Sequence, residues 1–210
     1  SITRFDAGGA QKHLLLLMKG LSGKGCIQYV ISGRGGKWAD EPEKTPNVRH
    51  LVNPFLIRNP NIAADMLAFI YSVILLMRIK RREGRFILNS NAPKAGFVCR
   101  WAGFAAGVKR NIFTIHGWHF HDYQFSPVKQ MIIIAEKLTN LITNCYISVC
   151  RGNIDIALKH GMDIRHKSSV IYGGYESVGI SKKRVQERII GTVTNFKKWK
   201  NTGDFIRIAH

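Results

Sequence analysis

Short apolar runs rich in β-branched residues recur along this chain at Ile27 to Ser32, Phe86 to Asn89, Asn111 to Ile115, Leu141 to Val149 and Ser169 to Tyr172, and longer segments with helical spacing lie between most of them. This alternation limits the folds open to the chain, because a strand followed by a helix and another strand is the pattern of a parallel sheet. It predicts an α/β fold, a Rossmann-like parallel sheet with helices on both faces. The helix candidates are Gln11 to Leu21, Ile62 to Lys80, Pro93 to Ala106, Val128 to Asn140 and Arg151 to His160. Several have proline at or near the start, where its missing N–H does no harm.

The pattern lapses after Tyr172 into Gly173, Gly174, Gly179 and the run Lys182, Lys183, Arg184, which suits an exposed connector. A fresh strand follows at Ile189 to Asn195, then a lysine-rich loop, then helical spacing from Asp204 to His210. We therefore expect a Rossmann-like domain over residues 1–172, a basic linker over 173–188 and the start of a second α/β unit over 189–210. The opening residues read as the remnant of a strand.

A hydrophobic content of 45% is ordinary for a packed core, but 32 lysines and arginines face only 13 acidic residues, giving a formal net charge of +19. Solubility does not require that much charge, so an anionic partner is expected. Cys26, Cys99, Cys145 and Cys150 are scattered and form no CxxC pair, which argues against a zinc ribbon or a secreted disulfide framework. The simplest setting is the cytoplasm.

Ile62 to Ile79 interrupts its apolar residues only at Asp65, Ser72 and Arg78, and Lys80, Arg81, Arg82 and Arg85 follow at once. The segment is at the low edge of membrane-spanning length and carries a carboxylate. Two readings stay open: a helix packed between the sheet and a neighbour, and a helix lying in the headgroup region of an anionic inner membrane face.

Three strand-to-helix turns carry the candidate chemistry. Asp6-Ala7-Gly8-Gly9-Ala10 opens the first helix, so two residues without side chains stand where backbone amides converge at a positive helix end, a place that accepts phosphate. Ser90-Asn91-Ala92-Pro93-Lys94-Ala95-Gly96 enters another helix, and Thr114-Ile115-His116-Gly117-Trp118-His119-Phe120-His121-Asp122 ends the next strand. Ligands of α/β sheets gather at the carboxyl ends of strands, which makes His116, followed directly by Gly117, the best candidate for a substrate contact. The spacing HxxHxHD matches no familiar zinc site, and no metal is assigned.

These turns carry a resemblance. Gly8-Gly9-Ala10-Gln11-Lys12-His13-Leu14 resembles the GGAE-x-x-L start of glycosyltransferase family 4, Asn91 to Gly96 with Val98 to Val108 resembles its HSSKAG…GR-x-A…AGV stretch, and Thr114 to Phe120 is similar to its TxHGxxF. Further on, Ala135-Glu136-Lys137 through Ile147-Ser148-Val149, Val170 to Gly174, and Ile190 to Val193 through Lys200-Asn201 resemble later motifs of the family in the right order. The resemblance implies the N-terminal, acceptor-side half of a GT-B fold with the first elements of the C-terminal half. It also implies a nucleotide-diphosphate sugar donor, a saccharide or lipid-linked acceptor, retention of anomeric configuration, a role in cell-surface polysaccharide synthesis, and no cofactor.

Carried onto this sequence, the family's roles put His116 at the transferring sugar or the acceptor, Gly8, Gly9 and Lys200 at the donor diphosphate, and Asn91, Lys94 and Gly117 on the acceptor side or in the crevice. Asn195 stands where the family often has Arg, Asn91 replaces a His, and Gly173 replaces an Asn. The family's paired-glutamate motif has no counterpart up to His210, so this chain alone is expected not to turn over a sugar nucleotide. The readings from other classes are a basic nucleic-acid-binding module and a non-catalytic scaffold. Dispersed aromatics and no recognisable RNA- or DNA-binding motif argue against the first, and the crevice loops against the second.

Overall fold

A computed structural model describes residues 1–120, 124–175, 191–193 and 201–209. The chain divides into two compact units, Ser1–Tyr175 and Glu176–His210.

In the first unit the order is α1 (Gly9–Ser22), β1 (Gln28–Ser32), β2 (Val48–Val52), α2 (Ile62–Glu83), β3 (Ile87–Asn91), α3 (Pro93–Ala105), β4 (Arg110–Ile115), α4 (Ser126–Leu141), β5 (Cys145–Ser148), α5 (Gly152–Lys159) and β6 (Ser168–Val170). Every strand pair is parallel: β1 with β2, and β3-β4-β5-β6 in that order. The opening residues join the two sheets. Ile2 N donates to Ile31 O (3.0 Å) and Gly33 N to Thr3 O (3.0 Å), while on the other side Ser1 N donates to Asn89 O (2.6 Å) and Asn91 N to Ser1 O (2.8 Å). Chain order therefore runs outward in both directions from residues 1–3, which is the topological switch point where open α/β sheets place their ligands.

Adjacent residues of β1 show that both faces are covered. Val30 is buried with Leu14, Leu15 and Met18 of α1, whereas Ile31 is buried with Leu75, Leu76 and Ile79 of α2 and Leu88 of β3. Successive strand side chains point to opposite faces, so α1 and α2 lie on opposite sides. Farther along, Phe113 and Tyr146 share a cluster with Ile133 of α4 and Ala157 of α5. This is the Rossmann-like α/β arrangement that the alternation predicts.

α3 sits close against β4 because Gly96 leaves room: a Cβ there would lie 2.4 Å from the Phe113 ring. Its neighbour Arg100 is fully buried, makes two hydrogen bonds to Glu136 of α4 (3.0 and 2.8 Å), and stands 4.0 Å over the Phe113 ring. Two charges removed from water need this full set of partners, and together they fix α3 against α4.

Two differences from the sequence reading stand out. β2 carries only a half-buried pattern, so Val48-Arg49-His50-Leu51-Val52 lacks the continuous apolar run that marks the central strands. Leu141 closes α4 and β5 begins only at Cys145, because an apolar run cannot by itself separate the end of a helix from the strand after it. In the second unit, α6 spans Thr202–Ala209. Residues 176–190 and 194–200, which include most of the predicted linker and strand, lie outside the described residues.

Candidate functional site

The site forms where α1, β3 and β4 reach the same end of the sheet. α1 begins at Gly9 with Gly8 as its N-cap, and no side chain caps it. Packing does not demand Gly9, since a Cβ there would meet nothing within 4 Å, and a Cβ on Gly8 would meet only the mobile end of Gln11. Their bareness leaves the positive end of α1 approachable by an anion. Asp6, just before this turn, would oppose an anion, but Arg4 (3.0 Å) and Arg58 (3.8 Å) both pair with it.

β3 delivers Asn91, which is fully buried. The next residue, Ala92, holds φ at +62° with ψ at 157°, a conformation L side chains rarely adopt and one that Pro93 helps to keep extended in ψ. Residue 3 supports the turn from the side, as Thr3 Oγ1 accepts from Ala95 N (3.1 Å) at the start of α3.

β4 delivers His116. Its Nε2 lies 3.0 Å from Asn91 Oδ1, so with the amide oxygen facing the ring Nε2 is the protonated nitrogen. The His13 ring, on the second turn of α1, meets the His116 ring edge-on at 5.1 Å. Burial, with His13 adding to it, pulls the His116 pKa down from 6.5 to about 4, and burial also lowers that of His13. Both imidazoles are therefore neutral at pH 7; His116 spends its one N–H on Asn91 and keeps Nδ1 as an acceptor. The Asn91 Nδ2 is buried with no partner among the described residues, which leaves one donor of the cluster unused there.

The structure brings His116 and Asn91 together with His13, which stands four residues after Gly9 on α1, and Gly117 opens space beside His116 with a φ of +156°. Lys94 is committed elsewhere: its ammonium pairs with Asp65 of α2 (2.5 Å) and donates to Asn59 O (2.6 Å). Lys200, Asn195, His121 and Asp122 lie outside the described residues.

His13 belongs to the site, yet the sequence reading gave it no role. Its signal is its place four residues after Gly9, on the helix whose start faces the crevice, but only the fold reveals that it meets residue 116. Gly173 also arrives here, since a Cβ on it would lie 3.7 Å from His13 Nδ1.

Beyond Gly117, residues 118–120 are anchored to the rest of the domain. Trp118 donates to Asn153 O (2.7 Å) and stacks on Phe120 (5.3 Å), while Asn153 donates back to Ile115 O (3.2 Å). His119 has both ring nitrogens buried without a hydrogen-bond partner among the described residues; burial lowers its pKa, which Glu136 raises and Arg100 lowers further. A cavity of about 500 Å³ runs between β1 and β3, from Ile27, Arg85 and Ile87 at the strand starts to Ser1, Asn89 and Asn91. Leu14, Met18, Leu76 and Leu88 make its walls largely apolar, with Gln28, Glu83 and Arg85 among the polar residues that line it.

A sequence model of Glycosyltransferase Family 4 matches residues 7–177, which contain all of the elements that build this site. The chain is also similar to a UDP-Gal:alpha-D-GlcNAc-diphosphoundecaprenol alpha-1,3-galactosyltransferase of Escherichia coli, 28% identical over 153 residues that cover 71% of this chain and 38% of the relative.

Proposed function

This chain belongs to Glycosyltransferase Family 4, and on that premise we propose that it supplies the acceptor-side half of an enzyme that moves a sugar, with retention of configuration, from a nucleotide-diphosphate donor to a lipid-linked saccharide. The observation that carries the reading is the junction of His116, His13 and Asn91 with the uncapped start of α1. Breaking a glycosyl phosphate bond builds negative charge on the leaving diphosphate, and amide donors fixed in advance at a helix start stabilise that charge without reorganising. A neutral imidazole held by Asn91 is suited to a sugar hydroxyl, because its one N–H is fixed on Asn91 Oδ1 and the lone pair on Nδ1 is left as an acceptor in a set orientation.

The lipid-linked acceptor is suggested by the diphosphoundecaprenol substrate in the relative's name, and assembly of cell-surface polysaccharide would be the setting. The test is transfer of radiolabelled galactose from UDP-galactose to a diphospholipid-linked GlcNAc by protein carrying both halves, with and without His116→Ala. Transfer that depends on His116 is the expected result. Transfer that survives His116→Ala unchanged would overturn the site, and failure with every nucleotide sugar and diphospholipid-linked acceptor tried would overturn the reaction.

A further inference from the structure

α2 presents two unlike faces. On the inner one, Ala68, Ser72, Leu75, Leu76 and Ile79 are buried, and Asn53 Nδ2 ties the helix to the loop after β2 through Ala68 O (2.9 Å) and Ser72 Oγ (3.0 Å). On the outer one, Ile62, Met66, Ile70, Ile74 and Met77 are exposed by 83, 62, 50, 41 and 40%. Steps of three or four residues put these five on one side of the helix, in an unbroken apolar stripe about 24 Å long. Single exposed apolar residues are ordinary, but a contiguous stripe is not.

The stripe ends in positive charge. Arg81 continues the same row, Arg78 and Arg82 flank it, and Arg85 follows the helix end; all four are exposed. Glu83 is already engaged, by Tyr29 (2.5 Å), Arg49 (3.7 Å) and Arg82 (3.3 Å), so it does little to offset the cluster.

Length and composition alone would let this helix cross a bilayer. The inner face argues otherwise, because crossing would strip Leu75, Leu76 and Ile79 from their packing on Ile31 and Leu88 and separate Asp65 from Lys94. A second copy of the chain would also bury the stripe, but it would bring a like-charged cluster and another net charge of +19 with it. An anionic lipid surface meets both parts of the face at once: acyl boundary for the stripe, headgroups for the arginines.

We propose that the outer face of α2 is a membrane-docking surface, which lays the stripe from Ile62 to Met77 into the headgroup boundary of an anionic leaflet and sets Arg78, Arg81, Arg82 and Arg85 on its lipid phosphates. The inference does not depend on the transfer reaction. Because α2 runs back from the carboxyl ends of the strands, its apolar start is the end nearer the crevice.

The test is co-sedimentation of the full chain with vesicles of phosphatidylcholine alone and with added phosphatidylglycerol, at low and high salt. The wild type should bind only the anionic vesicles, and less as salt rises. The double change Ile70→Glu/Ile74→Glu should abolish binding, and Arg78→Gln/Arg81→Gln should weaken it about 25-fold, at roughly fivefold per arginine. All four substituted side chains are exposed, so circular dichroism and Tm should match the wild type. Absence of wild-type binding, equal binding to both vesicle types, or binding unchanged in either variant would overturn the proposal. So would a dimer in sedimentation equilibrium that Ile70→Glu/Ile74→Glu dissolves while vesicle binding persists.

Discussion

Helices α1 and α2 both begin at the carboxyl end of the parallel strands, yet they begin differently. Asn61 caps α2 with its side chain (2.9 Å to Ala64 N), Asp65 stands in its first turn, and Lys94 pairs with that carboxylate. α1 opens on two glycines with no side-chain cap and no acidic residue in its first turn. The first start is satisfied within the protein. The second is left open, beside two neutral histidines and an unused amide donor, and an open positive helix end in such a place is suited to an incoming anion. The contrast separates a helix start that serves stability from one that serves a ligand.

The largest effect that tests this contrast is on turnover. His116→Ala in the transferase carrying both halves should lower kcat by about 100-fold or more, the scale of losing one well-placed polar contact in a transition state. Asn61→Ala should leave kcat unchanged in the same assay, and chelators should leave both proteins as they were. Gly9→Glu gives the sharpest opposition of sign. A carboxylate in the first turn of α1 meets no steric obstacle and should raise stability by about 0.3–1 kcal/mol, yet it should weaken UDP binding by about 10-fold or more. Thermal melts and calorimetric titration on one sample read both effects.

Much of this comparison was legible in the sequence. The alternation of runs and helical segments gave the central strands and α1 to α5, and the glycine pair and His116 were recognisable because each follows a strand and opens a turn. What the sequence left out is set by tertiary contact. The edge strand β2 alternates with charge, His13 gains its role only by meeting a ring 103 residues away, and Lys94 looked like a crevice cation until Asp65, 29 positions earlier, took its charge. The stripe on α2 was visible as composition, but which of its faces is buried required the fold.

Two smaller effects refine the comparison. Asn61→Ala should cost about 1 kcal/mol in denaturant unfolding, because the first turn of α2 loses its cap. Acid should act through the site. His116 binds its proton at about pH 4 when folded and near 6.5 when unfolded, so between those values the unfolded state holds more protons. Stability should thus be unaffected above pH 6.5 and fall as pH drops from 6.5 toward 4, and His116→Gln should make that fall shallower.

The central claim is that the open start of α1 and the His13, Asn91 and His116 cluster form one anion-accepting site. The direct measurement is a histidine-ring NMR titration of this chain with uridine diphosphate at pH 7, repeated with Gly9→Glu. The account predicts saturable shifts of the His13 and His116 ring signals, with weak affinity and a rise in the His116 pKa on binding, and loss of these shifts in the variant. Shifts confined to other histidines, or shifts at His116 that persist unchanged in Gly9→Glu, would contradict it.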